Sequence, residues 1–191
     1  PPMSGLAANE TRLDPGAINV RIGEGRTAEV LRNLCHSIHN SQKERWRELS
    51  EHIKNLFGSE LFAPRYITER GEIVMTYSEN GTRLDLSSSG RGLQQTLLLL
   101  AYMYAYPGAV LLLDEPDAHL EILRQRQIYQ LLTDVARENG NQIIAGSHSE
   151  VLLNEAAERD VVVAFVGKPH RINDRRSQVL KALKDIGFEH Y

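Results

Sequence analysis

"AVLLLDEPDAHL", residues 109–120, carries a continuous aliphatic run directly into two adjacent acids and a proline. The run 109–113 predicts a strand of a parallel sheet, because such strands are covered on both faces and need apolar side chains throughout. Asp114 and Glu115 then lie at the carboxyl end of that strand, where open parallel sheets bind their ligands. Because unpaired buried carboxylates are costly, the acid pair indicates a site; a helix N-cap pair is the structural alternative.

The sequence after this strand alternates helical and strand patterns. It predicts, in order, a helix over 120–138 ended by Asn139 and Gly140, a strand over 142–145, a short helix over 151–158 and a third strand over 161–166. Strands separated by helices of this length form a parallel sheet with right-handed crossovers. The predicted fold class is therefore α/β, with a parallel sheet flanked by helices.

The residues before the aliphatic run predict a helical arm. Residues 1–26 are rich in Gly, Pro and Asn and indicate loop with one short strand at 18–22. Apolar residues three and four apart over 30–38 predict a helix. Ser41 followed by Glu44 is a capping-box pattern that predicts the start of a second helix, which Gly58 can end. The apolar stripes of this arm are interpreted as core.

A β-hairpin is predicted around Asn80 and Gly81. Apolar and polar residues alternate on both sides of this dipeptide, which accepts the positive φ angles of a tight hairpin turn. The hairpin leads into the hydroxyl- and glycine-rich cluster "SSSGRG", residues 87–92, after which 93–106 predicts a strongly apolar, buried helix.

Composition places the chain among ordinary soluble globular domains. Of its 191 residues, 41% are hydrophobic and 25% are charged, and the formal net charge of -3 gives no polybasic indication of a nucleic-acid partner. Cys35 is the single cysteine, so no intramolecular disulfide can form, which fits a reducing compartment. No apolar run reaches the roughly 18 residues that span a bilayer. We therefore expect a cytoplasmic protein without a membrane partner.

Three polar clusters suit the chemistry of a triphosphate. Asp114 at a strand tip can hold Mg²⁺ through its water shell, and Glu115 can orient or deprotonate an attacking water. His148, in "GSHSE" after the second strand, can donate a hydrogen bond to a phosphate or to that water. The "SSSGRG" helix start offers free N–H groups to an anion. Each cluster also has a plain structural reading: a histidine after a strand and a Ser-Gly cap are both common without function.

The order and spacing of these clusters resemble the ABC-type ATPase superfamily, in the SMC, RecF and OLD-like branch of AAA-type ATPases. "SSGRGLQ", residues 88–94, looks like the signature motif in the relaxed form Ser-x-Gly-x-Gly-x-Gln. "AVLLLDEP" looks like a Walker B strand with its glutamate, "DAHL", residues 117–120, is similar to the D-loop, and "GSHS" is similar to the switch histidine.

The resemblance implies ATP and Mg²⁺ as cofactors, and it implies roles for particular residues. Asp114 would serve the metal, Glu115 would be the general base and His148 would sense the γ-phosphate. A head-to-tail homodimer, formed through the signature motif and the D-loop, would close on the nucleotide. The residues that would bind nucleotide across that interface are Ser88, Ser89, Gly90, Gly92, Gln94 and the D-loop Asp117.

No phosphate loop of the form G-x-x-x-x-G-K-[ST] occurs in the sequence, since Gly167 and Lys168 are followed by Pro169. The resemblance therefore implies the C-terminal part of an ATPase domain, with weak or no activity alone. The expected organisation is a loop, helical arm and hairpin over 1–83, a nucleotide-binding core over 84–167 and a linker or next element over 168–191.

Family resemblance alone suggests an OLD-like ATPase in DNA repair, DNA cleavage or phage defence, with DNA as a partner of the parent protein. Two alternatives stay open. A metal-dependent nuclease could use Asp114, Glu115 and Asp117, although no Asp-x-Asp pair is present. A non-catalytic interaction module could supply its signature to another subunit's ATP site.

Overall fold

A computed structural model of the chain describes residues 6–117, 120–165 and 168–172. The chain divides into two compact units. Unit 1 comprises Pro1–Leu112 and Leu131–Ile144, and unit 2 comprises Leu113–Gln130 and Ala145–Tyr191. The predicted helical arm and hairpin thus share a unit with residues 87–94, called the signature cluster below, while Asp114, Glu115 and His148 belong to the other unit.

Unit 1 contains a group of helices with an aliphatic core. Its first four helices are α1 (Pro15–Gly23), α2 (Leu31–Ser41), α3 (Lys43–Phe57) and α4 (Arg91–Ala105). Helices α2, α3 and α4 contact one another. The core side chains between them are almost fully buried, among them Leu34, Ile38, Leu49, Ile53, Leu97 and Leu100. The predicted helical arm is therefore confirmed, and its stripes are core.

Two small antiparallel sheets complete this part of unit 1. One has the order β1-β4-β3, from β1 (Glu10–Thr11), β3 (Arg65–Ile67) and β4 (Glu72–Val74). The other has the order β2-β5-β6, from β2 (Glu60–Leu61), β5 (Thr76–Glu79) and β6 (Thr82–Asp85). Glu79 pairs with Thr82 across a turn in which Asn80 and Gly81 have φ of 51° and 78°, so the predicted hairpin is confirmed.

The strand predicted over 18–22 is wrong, because these residues lie in α1. Asp14 caps that helix by accepting a hydrogen bond from the Ala17 N–H, and Pro15 occupies its first turn, where its missing N–H costs nothing. Ile18 is buried. Pro15 and Gly16 thus belong to a helix start, whereas composition alone suggested loop.

The capping box predicted at Ser41 does not form, although α3 begins where the pattern placed it. Gln42 is the N-cap residue and makes no side-chain capping bond, while the Ser41 hydroxyl donates to the carbonyl of Ser37 in α2. Because α2 and α3 are separated by Gln42 alone, Ser41 still belongs to the preceding helix. The predicted helix end at Gly58 is confirmed, with φ of 68°.

The alternating pattern that follows is confirmed in element type and order. The elements are β7 (Val110–Asp114), α5 (Ile122–Asn139), β8 (Gln142–Gly146), α6 (Glu150–Arg159), β9 (Val163–Ala164) and β10 (His170–Arg171). Strands β7 and β8 pair. The Gln142 N–H donates to the Ala109 carbonyl, and the Glu115 N–H donates to the Gly146 carbonyl, so both strands run in the same direction.

One face of β7 and β8 differs from expectation. Val110 and Leu112 alternate with the better-buried Leu111, and they are 51% and 74% exposed; Ile144 on β8 is 61% exposed. The sequence predicted a strand covered on both faces. In the described part of the chain, only one face of β7 is covered.

The third predicted strand forms, but it does not extend the parallel pair. Strand β9 instead pairs with β10 in an antiparallel ladder, with Ala164 opposite His170. Residues 166–167 and 173–191 lie outside the described residues. None of the helices described above is both long enough and apolar enough to cross a membrane.

Candidate functional site

The acid pair lies at the carboxyl end of β7, as predicted, and its backbone turns sharply there. Asp114 is the last residue of the strand and is exposed. Glu115 has φ of 47°, in the left-handed region that residues with a Cβ rarely adopt. Its N–H donates to the Gly146 carbonyl at 2.8 Å, which holds this turn against the end of β8. Such strained positions cluster at functional sites.

Glu115 and His148 come together in unit 2. The Glu115 Oε1 lies 2.9 Å from His148 Nδ1. The two side chains are 50% and 70% exposed, so the pair can meet a ligand from solvent. With the proton on Nδ1, the imidazole donates to the carboxylate, and Nε2 is the ring nitrogen that Glu115 does not engage. The predicted base and the predicted switch histidine are therefore in direct contact.

Asp117 is buried and bonded within unit 2, unlike the acids before it. It is 9% exposed, and its Oδ1 accepts a hydrogen bond of 2.7 Å from the Ser147 hydroxyl. The same hydroxyl accepts from the Ser149 N–H at 3.0 Å. Ser149 in turn caps α6 and donates to Gln125 on α5. Asp117 and Ser147 thus hold the segment that carries His148. The sequence motifs gave no indication of this role for Ser147.

The residues at this tip fit a magnesium ion held largely by water and phosphate. Asp114 offers one exposed carboxylate, and a Cβ added to Gly146 would stand 3.8 Å from its Oδ1. A side chain larger than alanine at Gly146 would therefore crowd that carboxylate. The described residues contain no group of three or more metal-ligating side chains. Mg²⁺ needs none, because it commonly binds through one or two carboxylates with waters and phosphate oxygens.

The exposed part of the signature cluster lies at the start of α4 in unit 1. Gly90 is the N-cap residue, and Ser88, Gly90 and Arg91 are exposed. Apart from its chain neighbours, no atom of the described residues lies within 4 Å of the position that a Cβ on Gly90 would take. The first N–H groups of a helix have no intrahelical acceptor, so this start can bind an anion. Gly92, in the first turn, is half-buried.

Ser89 and Gln94 form the inner side of the same cluster. They are 8% and 4% exposed. The Ser89 hydroxyl donates to the Leu86 carbonyl at 2.7 Å. The Gln94 amide donates to the carbonyls of Leu86, Ser87 and Ser89, the last at 2.9 Å. These two side chains hold the loop, while Ser88 and Gly90 face the solvent.

Three comparisons with known proteins are consistent with this arrangement. The family described as "AAA domain, putative AbiEii toxin, Type IV TA system" matches residues 21–154, which is more than half of the chain. The phosphonates import ATP-binding protein PhnC of Wolinella succinogenes is 27% identical over 183 residues. That alignment covers 92% of this chain and 62% of PhnC, so the chain spans less than two thirds of its curated relative.

Solved structures of SMC proteins share the fold. One, from work on ATP-driven dimerization and DNA-stimulated activation of SMC ATPases, has a TM-score of 0.56 and 18% identity, and covers 84% of this chain and 99% of that chain. The Smc head domain with a coiled coil and joint from Pyrococcus yayanosii has a TM-score of 0.58 and 16% identity, and covers 90% of this chain and 32% of that chain. At these identities the likeness shows the fold alone.

Proposed function

Because the chain belongs to the AAA-domain family and to the superfamily of ABC/SMC-type ATPases, we propose that it carries the signature, Walker B, D-loop and switch-histidine part of an enzyme that hydrolyses ATP with Mg²⁺. The observation that supports this most is the contact of 2.9 Å between Glu115 and His148, at the ends of two adjacent parallel strands. Ligands of open parallel sheets bind at such strand ends.

Each residue of the strand-tip cluster, Asp114, Glu115 and His148, has a role in this reaction. The Glu115 carboxylate orients the attacking water and accepts its proton. With both ring nitrogens protonated, His148 donates from Nε2 to the γ-phosphate or to that water while Nδ1 donates to Glu115, so the contact keeps the base and the donor together. Asp114 would hold Mg²⁺ through water, and a metal bound there would supply positive charge to stabilise the transferring phosphoryl group.

The signature cluster completes the site from a second subunit. Ser88 and the N–H groups after Gly90 contact the γ-phosphate of a nucleotide held by the partner, with Ser89 and Gln94 holding the loop in shape. The enzyme is a head-to-tail homodimer in which the signature and the D-loop lie at the interface, and the buried Asp117 side chain holds the start of that loop through Ser147. An SMC relative whose description names ATP-driven dimerization supports this assembly.

The phosphate-binding half of the site is not encoded in these residues, since no G-x-x-x-x-G-K-[ST] loop occurs in the sequence. The chain alone therefore hydrolyses ATP weakly or not at all. The parent protein is an OLD-like cytoplasmic ATPase that serves DNA repair, DNA cleavage or phage defence. The putative toxin members of the matched AAA-domain family and the DNA-stimulated SMC ATPases that share the fold support this role.

Glu115→Gln tests the activity in a protein that joins this chain to its phosphate loop. We expect kcat for ATP hydrolysis to fall by about 10²–10⁴-fold, because the amide cannot accept a proton, while the Kd for ATP stays the same. Glu44→Gln, which changes an exposed glutamate on α3, is the matched control and keeps full activity. Hydrolysis by Glu115→Gln at the wild-type rate with ATP still bound would show that another group is the base.

A second candidate is favoured by the missing phosphate loop: a non-catalytic module that supplies its signature to another subunit. It predicts that Glu115→Gln has no effect on the hydrolysis of a mixed complex, whereas Gly90→Val abolishes it. A nuclease centre on Asp114, Glu115 and Asp117 is less well supported, because Asp117 is buried against Ser147.

A further inference from the structure

Arg32 on α2 has the largest fully buried side chain in the described part of the chain. Its Nη2 donates to Asp85 Oδ1 at 2.9 Å, and its Nη1 donates to the Ala7 carbonyl at 2.8 Å and lies 4.0 Å from Glu10 Oε2. A buried guanidinium is tolerated only when such partners compensate its lost hydration. All of these residues belong to unit 1.

The Glu10 carboxylate binds the backbone at the start of α2, beside the Arg32 guanidinium. It accepts hydrogen bonds from the Arg32 and Asn33 N–H groups at 2.9 and 2.7 Å, and from the Asn33 side chain at 2.7 Å. These N–H groups lie in the first turn of α2, so Glu10 caps that helix from a distant strand. Burial raises the pKa of Glu10 to about 7, although these bonds oppose the rise.

Asp85 connects the guanidinium to the signature cluster. The oxygen that accepts from Arg32 also accepts from the Ser87 N–H at 2.8 Å and from the Ser87 hydroxyl at 2.7 Å. Ser87 is followed directly by Ser88, Ser89 and Gly90. One oxygen atom therefore joins α2 to the loop before α4.

The charge of Arg32 matters as much as its position. Asp85 is 36% exposed and lies five residues before the helix start at Gly90, which is proposed to meet a phosphate. An uncompensated carboxylate there would repel that anion, and like charges in a partly buried site interact strongly. Arg32 neutralises Asp85 from the protein interior, where salt screens the pair weakly.

We propose that Arg32 is the positioning residue of the signature cluster, because it fixes Asp85 and Ser87 and cancels the negative charge next to the phosphate-facing helix start. This role rests on the proposed ATPase function. Arg32 is not part of the signature motif at residues 88–94, and it precedes Asp85 by 53 positions. The motif therefore does not predict this role.

A spin label tests the positioning in this chain without any activity. Cys35 is the single cysteine and is buried, and burial raises the pKa of its thiol, so Ser88→Cys creates one accessible labelling site. With a nitroxide there, we expect Arg32→Lys to raise the mobile fraction of the spectrum about twofold or more, because lysine lacks the second donor branch. Asp85→Ala should have the same effect.

The matched control is Ile53→Val, which removes one methyl group from the core of unit 1, on α3, and leaves the hydrogen bonds of Arg32 in place. It should lower Tm and leave the nitroxide spectrum unchanged. An unchanged spectrum in both Arg32→Lys and Asp85→Ala would overturn the positioning role, as would an equal change in Ile53→Val.

Hydrolysis by the protein with its phosphate loop provides the second test. We expect Arg32→Met to lower kcat about tenfold, the effect of one lost charge-assisted interaction in the closed dimer, with the Kd for ATP in the monomer unchanged. Adding Asp85→Asn to Arg32→Met should restore part of kcat, because it removes the uncompensated charge.

The two hypotheses fail differently. A wild-type protein that binds no ATP would contradict the proposed function and leave the spin-label result standing. An active wild type whose Arg32→Lys and Arg32→Met variants hydrolyse at its rate would contradict the positioning role alone.

Discussion

The signature cluster and the strand-tip cluster use their polar side chains in opposite ways. In the signature cluster, Ser89 and Gln94 are buried, and their side chains donate hydrogen bonds to carbonyls of the same loop. In the strand-tip cluster, Glu115 and His148 are at least half exposed and contact each other. A motif thus contains buried residues that shape the backbone and exposed residues that a ligand can reach.

The same contrast extends to the supporting residues. The signature cluster is supported by an ionic group of Glu10, Arg32 and Asp85, in which Arg32 is fully buried. The strand-tip cluster is supported instead by the hydrogen bond from the Ser147 hydroxyl to Asp117. Substitutions in the first region should therefore change stability and loop order. Substitutions of the exposed Glu115 and His148 in the second should change chemistry with little loss of stability.

The largest expected effect comes from the exposed side of this contrast. His148→Ala should lower kcat about 10²-fold in the protein with its phosphate loop, because the donor to the phosphate or water is lost. Tm should change little, since His148 is 70% exposed. Steady-state hydrolysis and thermal unfolding measure the two quantities. A large fall in the Tm of His148→Ala with kcat unchanged would mean that the strand-tip cluster supports stability and not chemistry.

Glu10→Gln tests the buried ionic group through pH. Because the folded pKa of Glu10 is raised from 4.5 to about 7, its protonated form is favoured in the fold, and the stability of the wild type falls as pH rises between these values. The glutamine variant should lack this loss, which is on the order of 3 kcal/mol. Urea unfolding at pH 5 and pH 8 measures it; parallel pH dependence in both proteins would contradict the assignment.

Gln94→Ala tests the inner side of the signature cluster. Its loss removes the side-chain donor from the Ser87 and Ser89 carbonyls, while the Leu86 carbonyl keeps Ser89 as a donor, and this should lower the free energy of unfolding by about 1–3 kcal/mol. Ser88→Ala, at an exposed position of the same loop, is the control and should change it by less than about 0.5 kcal/mol. Equal losses in urea unfolding would mean that burial does not separate the two roles.

Backbone strain at Glu115 gives the smallest expected effect. Glycine adopts φ of 47° without a Cβ clash, so Glu115→Gly should be about 1 kcal/mol more stable than Glu115→Ala, which also removes the carboxylate. Urea unfolding of this pair isolates the strain. If alanine is as stable as glycine, the left-handed turn is not strained.

Sequence patterns predicted the turns, helix ends and strands that depend on neighbouring residues. The Asn80-Gly81 turn, the helix end at Gly58 and the order β7, α5, β8 and α6 follow from turn residues and periodicity, and all are found. Helix α1 was missed because Pro and Gly were counted as loop formers, although Asp14 before Pro15 is a helix-start pattern.

The remaining features depend on partners that are distant in sequence. Arg32 meets Glu10 and Asp85 across 22 and 53 positions, and no periodicity predicts that a lone arginine is buried. The pairing of β9 with β10 likewise could not be predicted, because an apolar run indicates a strand but does not indicate which strand pairs with it. Proximity of Glu115 and His148, by contrast, was predictable, because parallel strands end on the same edge.

The exposed aliphatic face of β7 and β8 has a consequence for the behaviour of the chain in solution. Val110, Leu112 and Ile144 present large side chains to water on strands of high β propensity. Such a surface favours stacking between molecules, so the solubility of this chain should fall steeply with concentration and with added sulfate, which strengthens apolar association. Leu112→Thr should raise the solubility, because threonine keeps the strand propensity and adds a hydroxyl to that face.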